Sequence, residues 1–458
     1  MATDPVPTSS AIQERVFGFA DTERTATENA MAQRAENIIP GGCHTSAKGR
    51  DQYPQRSPAF IERGLGSRVW DSEGREYIEY ACGLRSVTLG HAWPSVNEAA
   101  KSAIDRGLNF NRPAPLELEA AERFLELIPT ADMVKFTKDG STVMTAAIKL
   151  ARAWTGRQRI ALCSDSPFYS YDDWFIGTTA IAGGTLTSTV SYSSGFRFND
   201  SASLERVCAE YPGEIACVVL EPARSTEPAP GFLQRVRELC DREGAILVFD
   251  ETITGFRWHR NGAQAEYGVI PDLSCFGKAM ANGFSLSALA GKRDLMELGG
   301  LRQRDRSRVF LLSTTHGAET PALAAGMETM RVYRDEPVTE RLEAAGERLR
   351  RGIETAVIER GLQEHVTLMG RGCALLFNIK DDQGASSQAL RTLVLQELLR
   401  HGVLAPSLMP TYSHTDDDLD LTIAAFTRSL DVLKDALRDG AERYLVGPPS
   451  DVVYRDRN

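Results

Sequence analysis

The chain reads as an α/β protein: a large domain with a mostly parallel sheet flanked by helices, and a smaller α+β domain built from both chain ends. Two observations predict this. Between about residues 115 and 290, short apolar runs of strand length alternate with helical stretches, the pattern of a parallel sheet with helices on both faces. Outside that region the pattern changes, with a hairpin near the start and long amphipathic helices near the end.

The elements follow in order. Residues 1 to about 28 are polar and read as a loose leader. The stretch "ENAMAQRAENIIPGG" reads as a helix stopped by Pro40, Gly41 and Gly42. In "PAFIERGLGSRVWDSEGREYIEYACG", two apolar runs flank a turn at Ser72, Glu73 and Gly74, which predicts a hairpin. Further on, "MVKFTK" is a strand, "DGS" a turn and "TVMTAAIKLARAWTG" a helix. "RIALCS" is a strand followed by the aromatic loop "PFYSYDDWF". Then come the strand "IACVVLEP", the helix "GFLQRVRELCDREG", and the strands "AILVFDE" and "LSCFGKAM". After about 330, "EPVTERLEAAGERLRRGIETAVIERG" is one long helix, "CALLFNIK" a strand, and "LDLTIAAFTRSLDVLKDALRDGAERYL" the closing helix. The expected division is 1–85 (N-terminal segment and part of the small domain), 86–329 (large domain), 330–442 (rest of the small domain) and a loose tail, 443–458.

Composition narrows the function. A net charge of −10 leaves no basic surplus to neutralise phosphates, which argues against a general nucleic-acid binder. No apolar run approaches the roughly 18 residues of a membrane span, and "MATDPVPTSS" lacks a signal-peptide pattern. The eight cysteines and seven histidines are scattered, without CxxC or HExxH spacing. Reduced thiols, a cytoplasmic setting and no metal site are therefore expected.

Ligands of open parallel sheets gather beyond the carboxyl ends of the strands. Four polar features fall there: Glu221 after "IACVVL", Asp250 closing "AILVFD", Lys278 after "LSCFG", and Gly140 and Ser141 opening a helix after "MVKFTK". A lysine at a buried strand end is costly unless it is paired or chemically used. An acid, an amine and an anion site together suit pyridoxal phosphate. Backbone amides at a helix start take the phosphate, a carboxylate keeps the pyridine nitrogen protonated, and the lysine forms a Schiff base with the aldehyde. The loop 167–175 offers aromatic platforms for the ring.

The chain resembles the fold-type I, class III pyridoxal-phosphate-dependent aminotransferases, within them the branch of glutamate-1-semialdehyde 2,1-aminomutase. The resemblance runs from about 35 to 440. It includes "IIPGG", "VWDSEGREYIEY", "LGHAWP", "KLARAWTGR", "VLEP", "FDETITGFR", "FGKAMANGFSLSALAGKRDLM" and "HGAETPALAAG". It implies that Lys278 is the Schiff-base lysine, Asp250 the partner of the pyridine nitrogen, and Gly140 and Ser141 phosphate binders. It further implies that Phe168 stacks on the ring, usually a tyrosine's place, and that Thr252 packs the other face, usually a valine's. Thr315 matches a threonine that reaches the phosphate from a neighbouring subunit, which implies a homodimer with shared active sites.

The chain departs from that branch at the substrate wall. The family's Tyr-His-Gly is Phe168, Tyr169 and Ser170 here. The aminomutases' Ser-Trp-Gly is Gly83, Leu84 and Arg85, their N-terminal substrate arginine is Lys48, and the acid after the phosphate-binding pair is Thr142. Arg85, Lys48, His44 and Arg224 are accordingly candidates to grip a carboxylate, a phosphate or a hydroxyl-rich substrate. The expected activity is transfer of an amino group from a donor such as glutamate to a ketone or aldehyde, with a sugar-derived acceptor one expectation. The alternative is intramolecular transfer of the aminomutase type. A relative without cofactor, acting in regulation or structure, is disfavoured by the intact Lys278 and Asp250.

Overall fold

The computed structural model describes residues 24–303 and 305–452. Its contacts divide it into two units. Among the described residues, the larger holds Arg85–Thr88 and Trp93–Thr339; the smaller holds 24–84, Leu89–Ala92 and 340–452.

The larger unit is built on seven strands: β1 (Met133–Thr137), β2 (Arg159–Cys163), β3 (Ser193–Phe196), β4 (Ile215–Leu220), β5 (Ile246–Glu251), β6 (Leu273–Phe276) and β7 (Ser287–Gly291). Their order across the sheet is β1-β7-β6-β5-β4-β2-β3. β7 is antiparallel to both its neighbours, β1 and β6, and the pairs from β6 to β3 are parallel. Every residue of β4 and β5 is buried. Alternate side chains enter two cores. Cys217, Val219 and Val248 join the helix α1 (Gly140–Thr155) on one face, and Val218, Leu220, Leu247 and Phe249 join the helix Phe232–Glu243 on the other. Covering both faces is what makes these strands continuous apolar runs rather than alternating ones.

The smaller unit draws its sheet from both chain ends, as the sequence predicts. Ile61–Leu65, Arg68–Asp71 and Glu76–Glu79 form an antiparallel meander, and Val403–Leu404 pairs parallel to its last strand. Its core is made with the helices Gln388–Arg400 and Asp416–Asp439.

Three local expectations are corrected. The stretch read as one strand, 273–280, ends at Phe276 and turns into a short 3-10 helix, while the following "SALAG" is the buried strand β7. Alanines and a glycine carry little strand propensity, yet only small residues fit here: a Cβ on Gly291 would lie 2.5 Å from Leu273 Cδ2 and 2.6 Å from the Asp272 carbonyl oxygen. Second, the leader expected to be loose lies outside the described residues up to 23, but the helix Ala26–Ile38 begins within it. Glu28 is fully buried there, paired with Arg75 at 3.0 Å. Third, the tail is docked as far as 452, with Ser450 donating its amide to Thr392 Oγ1 and Asp451 its amide to the Asp51 carbonyl. The rest of the tail lies outside the described residues.

The long helix Val338–Arg360 crosses the chain at Gly372 with almost no gap. A Cβ on Gly346 would lie 1.9 Å from the Gly372 carbonyl oxygen. Gly346→Ala must push backbone from backbone, so it should destabilise the protein by about 2–3 kcal/mol. A lowered melting temperature is expected; an unchanged one would mean that helix and loop part without cost.

Candidate active site

Parallel pairing sets the carboxyl ends of β4, β5 and β6 side by side. Leu220 lies opposite Phe249, and Asp250 opposite Cys275. Glu221 follows β4, Asp250 lies near the end of β5, and Lys278 stands two residues beyond β6. The structure thus brings together three residues that the sequence separates by 29 and 28 positions.

Lys278 occupies a left-handed backbone position, φ 43°, which is strained for a residue with a side chain. Gly277 before it leaves no room for one: a Cβ would lie 2.9 Å from Ser287 Oγ and 3.3 Å from Thr252 Cγ2. The Lys278 amine has no hydrogen-bond acceptor among the described residues. Burial pulls its pKa below the usual lysine value; Asp250 and Glu221 oppose this, and Arg85 and Arg257 add to it. Asp250 is 5% exposed and accepts the Thr252 amide at 2.9 Å. Burial pushes its pKa up, against the pull of Thr252 and Lys278. Glu221 is pushed up to about 7 by burial and by Asp250, with Arg224 and Lys278 opposing. Its Oε1 accepts no hydrogen bond, and Arg224 Nε is 3.8 Å away.

The start of α1 comes to the same edge, since a Cβ on Gly140 would sit 3.3 Å from the Thr252 side chain. Asp139 caps the helix by accepting the Thr142 amide at 2.8 Å. The amides of Gly140 and Ser141 have no acceptor among the described residues. Ser141 Oγ accepts the Tyr171 amide at 3.3 Å, which ties the aromatic loop to the helix start. In that loop Phe168 is 45% exposed, with its ring edge-on to Phe175, while Tyr169 is buried and donates to Ser166 Oγ at 2.7 Å.

The other candidates lie as follows. Arg85 is half-buried in the larger unit, and its carbonyl accepts Arg257 Nη2 at 2.7 Å. Thr315 is exposed, and its carbonyl accepts Asn109 Nδ2 at 3.0 Å. Lys48 and His44 belong to the smaller unit. There Lys48 lines a cavity of about 420 Å³ with Arg24, Arg50, Tyr53 and Leu84, whereas His44 is exposed and outside its lining. Arg257, which ends "FDETITGFR", carries no signal of a role in the sequence; only the fold shows that it holds the Arg85 backbone. Glu79, Cys82 and His91, spread over 13 positions without a ligand spacing, bring their ligand-type atoms within 4.8 Å of one another. His91 Nε2 and Glu79 Oε2 are 2.5 Å apart, too close to share an ion that each would bind at about 2.1 Å.

Comparison with known proteins settles the family. The model of the class-III aminotransferases matches residues 51–430. The chain belongs to the class III aminotransferases. It is 34% identical to the glutamate-1-semialdehyde 2,1-aminomutase of Desulforudis audaxviator, over 86% of this chain and 95% of that one. It is 30% identical to the 3-aminobutyryl-CoA aminotransferase of Cloacimonas acidaminovorans, over 92% and 100%. Among solved structures, the FumI protein of Sphingopyxis sp. MTA144, in its PLP internal aldimine form, superposes with a TM-score of 0.83 at 29% identity, covering 94% of this chain and all of that one. An omega-transaminase from Sphaerobacter thermophilus gives 0.81 at 26%, covering 90% and 99%.

Class III aminotransferases use pyridoxal 5'-phosphate, and this site fits it. An amine with no hydrogen-bond acceptor among the described residues, a buried carboxylate on the neighbouring strand and two unused amides at a helix start match its aldehyde, ring nitrogen and phosphate. Gly140 and Gly277 keep the space among them clear of side chains.

The raised pKa of Glu221 carries a stability consequence. Its folded value, about 7, lies above the ordinary 4.5. The folded chain therefore holds this proton more tightly, and stability falls as pH rises from about 4.5 to 7. Glu221→Gln should remove that loss and leave the cofactor-free protein more stable at pH 8 by on the order of 2 kcal/mol. Parallel denaturation curves at pH 5 and 8 check this; an equal pH dependence in both proteins would refute it.

Proposed function

We propose that this class III aminotransferase takes an amino group from a donor such as glutamate and passes it to a ketone or aldehyde, a sugar-derived one among the candidates. The observation that carries the reading is the pairing of Asp250 and Lys278 at the ends of neighbouring parallel strands. When bound, the cofactor supplies an aldehyde that exchanges with amines and a ring that accepts electrons. The chain supplies the rest. Gly140 and Ser141 offer amides to the phosphate, Phe168 and Thr252 flank the ring, and Glu221 borders it. Asp250, ionised, keeps the ring nitrogen protonated. Lys278 holds the cofactor at rest and, once released, its Nζ carries the proton to and from the substrate carbon. A depressed lysine pKa suits this work, because a neutral amine is needed to take a proton.

A second reading, intramolecular transfer, is favoured by the aminomutase relatives. The two readings differ in what is consumed. On ours, one donor disappears for each amine formed and the oxo-acid accumulates. Amine formation with no external donor consumed would select the aminomutase reading.

We further read the working form as a homodimer in the cytoplasm. Thr315 is exposed, as are Leu301 at 78% and Phe310 at 77%, which suits a surface covered by a second copy. The eight cysteines are free thiols, in keeping with a reducing compartment. No helix among the described residues is long and apolar enough to cross a membrane.

If Thr315 completes the partner's site, defective chains should rescue each other. Lys278→Ala and Thr315→Val should each be nearly inactive alone. After subunit exchange, the mixed dimer has one site with both lesions and one with neither. About a quarter of wild-type activity per chain should then return. No recovery after exchange shown by mass spectrometry would place Thr315 outside the partner's site.

A further inference from the structure

We propose that Thr252 is a positioning residue: its side-chain hydroxyl donates a hydrogen bond to the Asp250 carboxylate when the cofactor binds, and so holds that carboxylate charged against the ring nitrogen. This rests on the role given to Asp250 above and on no particular amino donor or acceptor.

The Thr252 side chain stands where the parts of the site meet. A Cβ on Gly140, at the start of α1, would lie 3.3 Å from both its Oγ1 and its Cγ2, and a Cβ on Gly277, next to Lys278, would lie 3.3 Å from its Cγ2. The Thr252 amide donates to Asp250 Oδ1 at 2.9 Å. The carboxylate is thus folded back onto the residue two positions on, a local turn that a short acid side chain favours. The hydroxyl itself is buried and has no hydrogen-bond partner among the described residues. Packing does not call for it, since valine has the same shape without the oxygen. A buried hydroxyl left unpaired is a net cost. A partner that takes the hydroxyl in the cofactor-loaded protein removes that cost.

Asp250 is the acceptor within reach. Burial raises its pKa, and the Thr252 hydroxyl, the Thr252 amide and Lys278 lower it, in that order. The hydroxyl is therefore close to the carboxylate, yet it is not aligned for a hydrogen bond, and a misaligned contact is worth little. Among the described residues the carboxylate accepts one hydrogen bond, from the Thr252 amide, although an ionised carboxylate has about four places to accept one. In the cofactor-free protein burial favours neutral Asp250, and the hydroxyl gains little by turning. Asp250 ionises to meet a protonated ring nitrogen, and a charged acceptor holds a donor roughly twice as strongly as a neutral one. A turn of the Thr252 side chain about its Cα–Cβ bond then brings Oγ1 into line. The acid so held is charged and fixed in direction, both of its protein donors coming from one residue.

The test compares wild type, Thr252→Val, Thr252→Ser, Asp250→Asn and the double variant Asp250→Asn with Thr252→Val. Each full-length protein is melted with and without cofactor, and pyridoxal 5'-phosphate is titrated into each cofactor-free protein and followed by its absorbance. Without cofactor, Thr252→Val should melt no lower than wild type, since it loses only an unpaired hydroxyl. It should nonetheless bind the cofactor about tenfold or more weakly, the worth of a hydrogen bond to a charged group. Thr252→Ser keeps the hydroxyl and should restore most of the affinity. In the Asp250→Asn background, Thr252→Val should change the affinity by less than about threefold, because the charge that the hydroxyl serves is gone. Wild-type affinity in Thr252→Val, or an equal loss in Thr252→Ser, overturns the inference. So does an equal loss in the Asp250→Asn background, which would mean that the hydroxyl acts without the acid. A lowered melting temperature of cofactor-free Thr252→Val would give the hydroxyl a structural role and overturn it as well. If Asp250→Asn alone binds the cofactor as tightly as wild type, the reading of Asp250 is itself at fault, and the inference falls with it.

Discussion

Everything at the candidate site depends on one constraint, the side-by-side alignment of the carboxyl ends of β4, β5 and β6. Parallel strands joined by crossover helices must all end at the same edge. Three residues from distant parts of the chain therefore meet there, and because both faces of the sheet are covered they meet away from bulk water. The consequences oppose each other. Burial favours the neutral form of each group, lowering the lysine pKa and raising those of the two acids, while attraction between amine and carboxylate restores part of the charge. This balance lets an amine and an acid coexist in a buried edge, with the amine poised to lose its proton.

Glycines enable the alignment as much as the charged residues do. Gly277 lets the chain leave β6 between Ser287 and Thr252, and Gly140 lets the start of α1 close on Thr252. The antiparallel β7 has a related part. Its small residues allow close packing between β1 and β6, so the helix following β1 starts at the same edge as the lysine that follows β6.

The smaller unit answers a different problem, the joining of two chain ends. The Ile78 amide donates to the Gly402 carbonyl and the Tyr80 amide to the Leu404 carbonyl, each at 2.9 Å. Thus the late chain completes a sheet begun by the early chain. Polar contacts reinforce this. Asp418 accepts Ser67 Oγ at 2.8 Å and Arg68 Nη2 at 2.6 Å, and Tyr80 donates to Thr422 at 2.9 Å. A buried acid is tolerated because its oxygens are satisfied by partners more than 300 residues away in sequence.

By itself the sequence determined the class of fold and five of the seven strands of the larger unit's sheet, and it pointed to the candidates Lys278, Asp250, Glu221, Gly140 and Ser141. These were legible because each depends on local chemistry: an apolar run of strand length, a polar residue at its end, a glycine and a capping residue at a helix start. The same reasoning failed where contacts are distant. The sequence assigns no element to β7, because its alanines carry little strand signal of their own and only its neighbours make a strand of it. Ser450 falls in the tail expected to be loose because the group that holds it, Thr392, is 58 residues away, and nothing local shows that Glu28, at the start of the predicted first helix, is buried against Arg75, 47 residues on. Arg85 was visible as a departure from a familiar motif. The tertiary structure alone decided that Arg257 would hold its backbone from 172 residues away. Charge, burial and hydrogen bonding at one atom depend on everything that packs around it, and no local pattern encodes that surrounding.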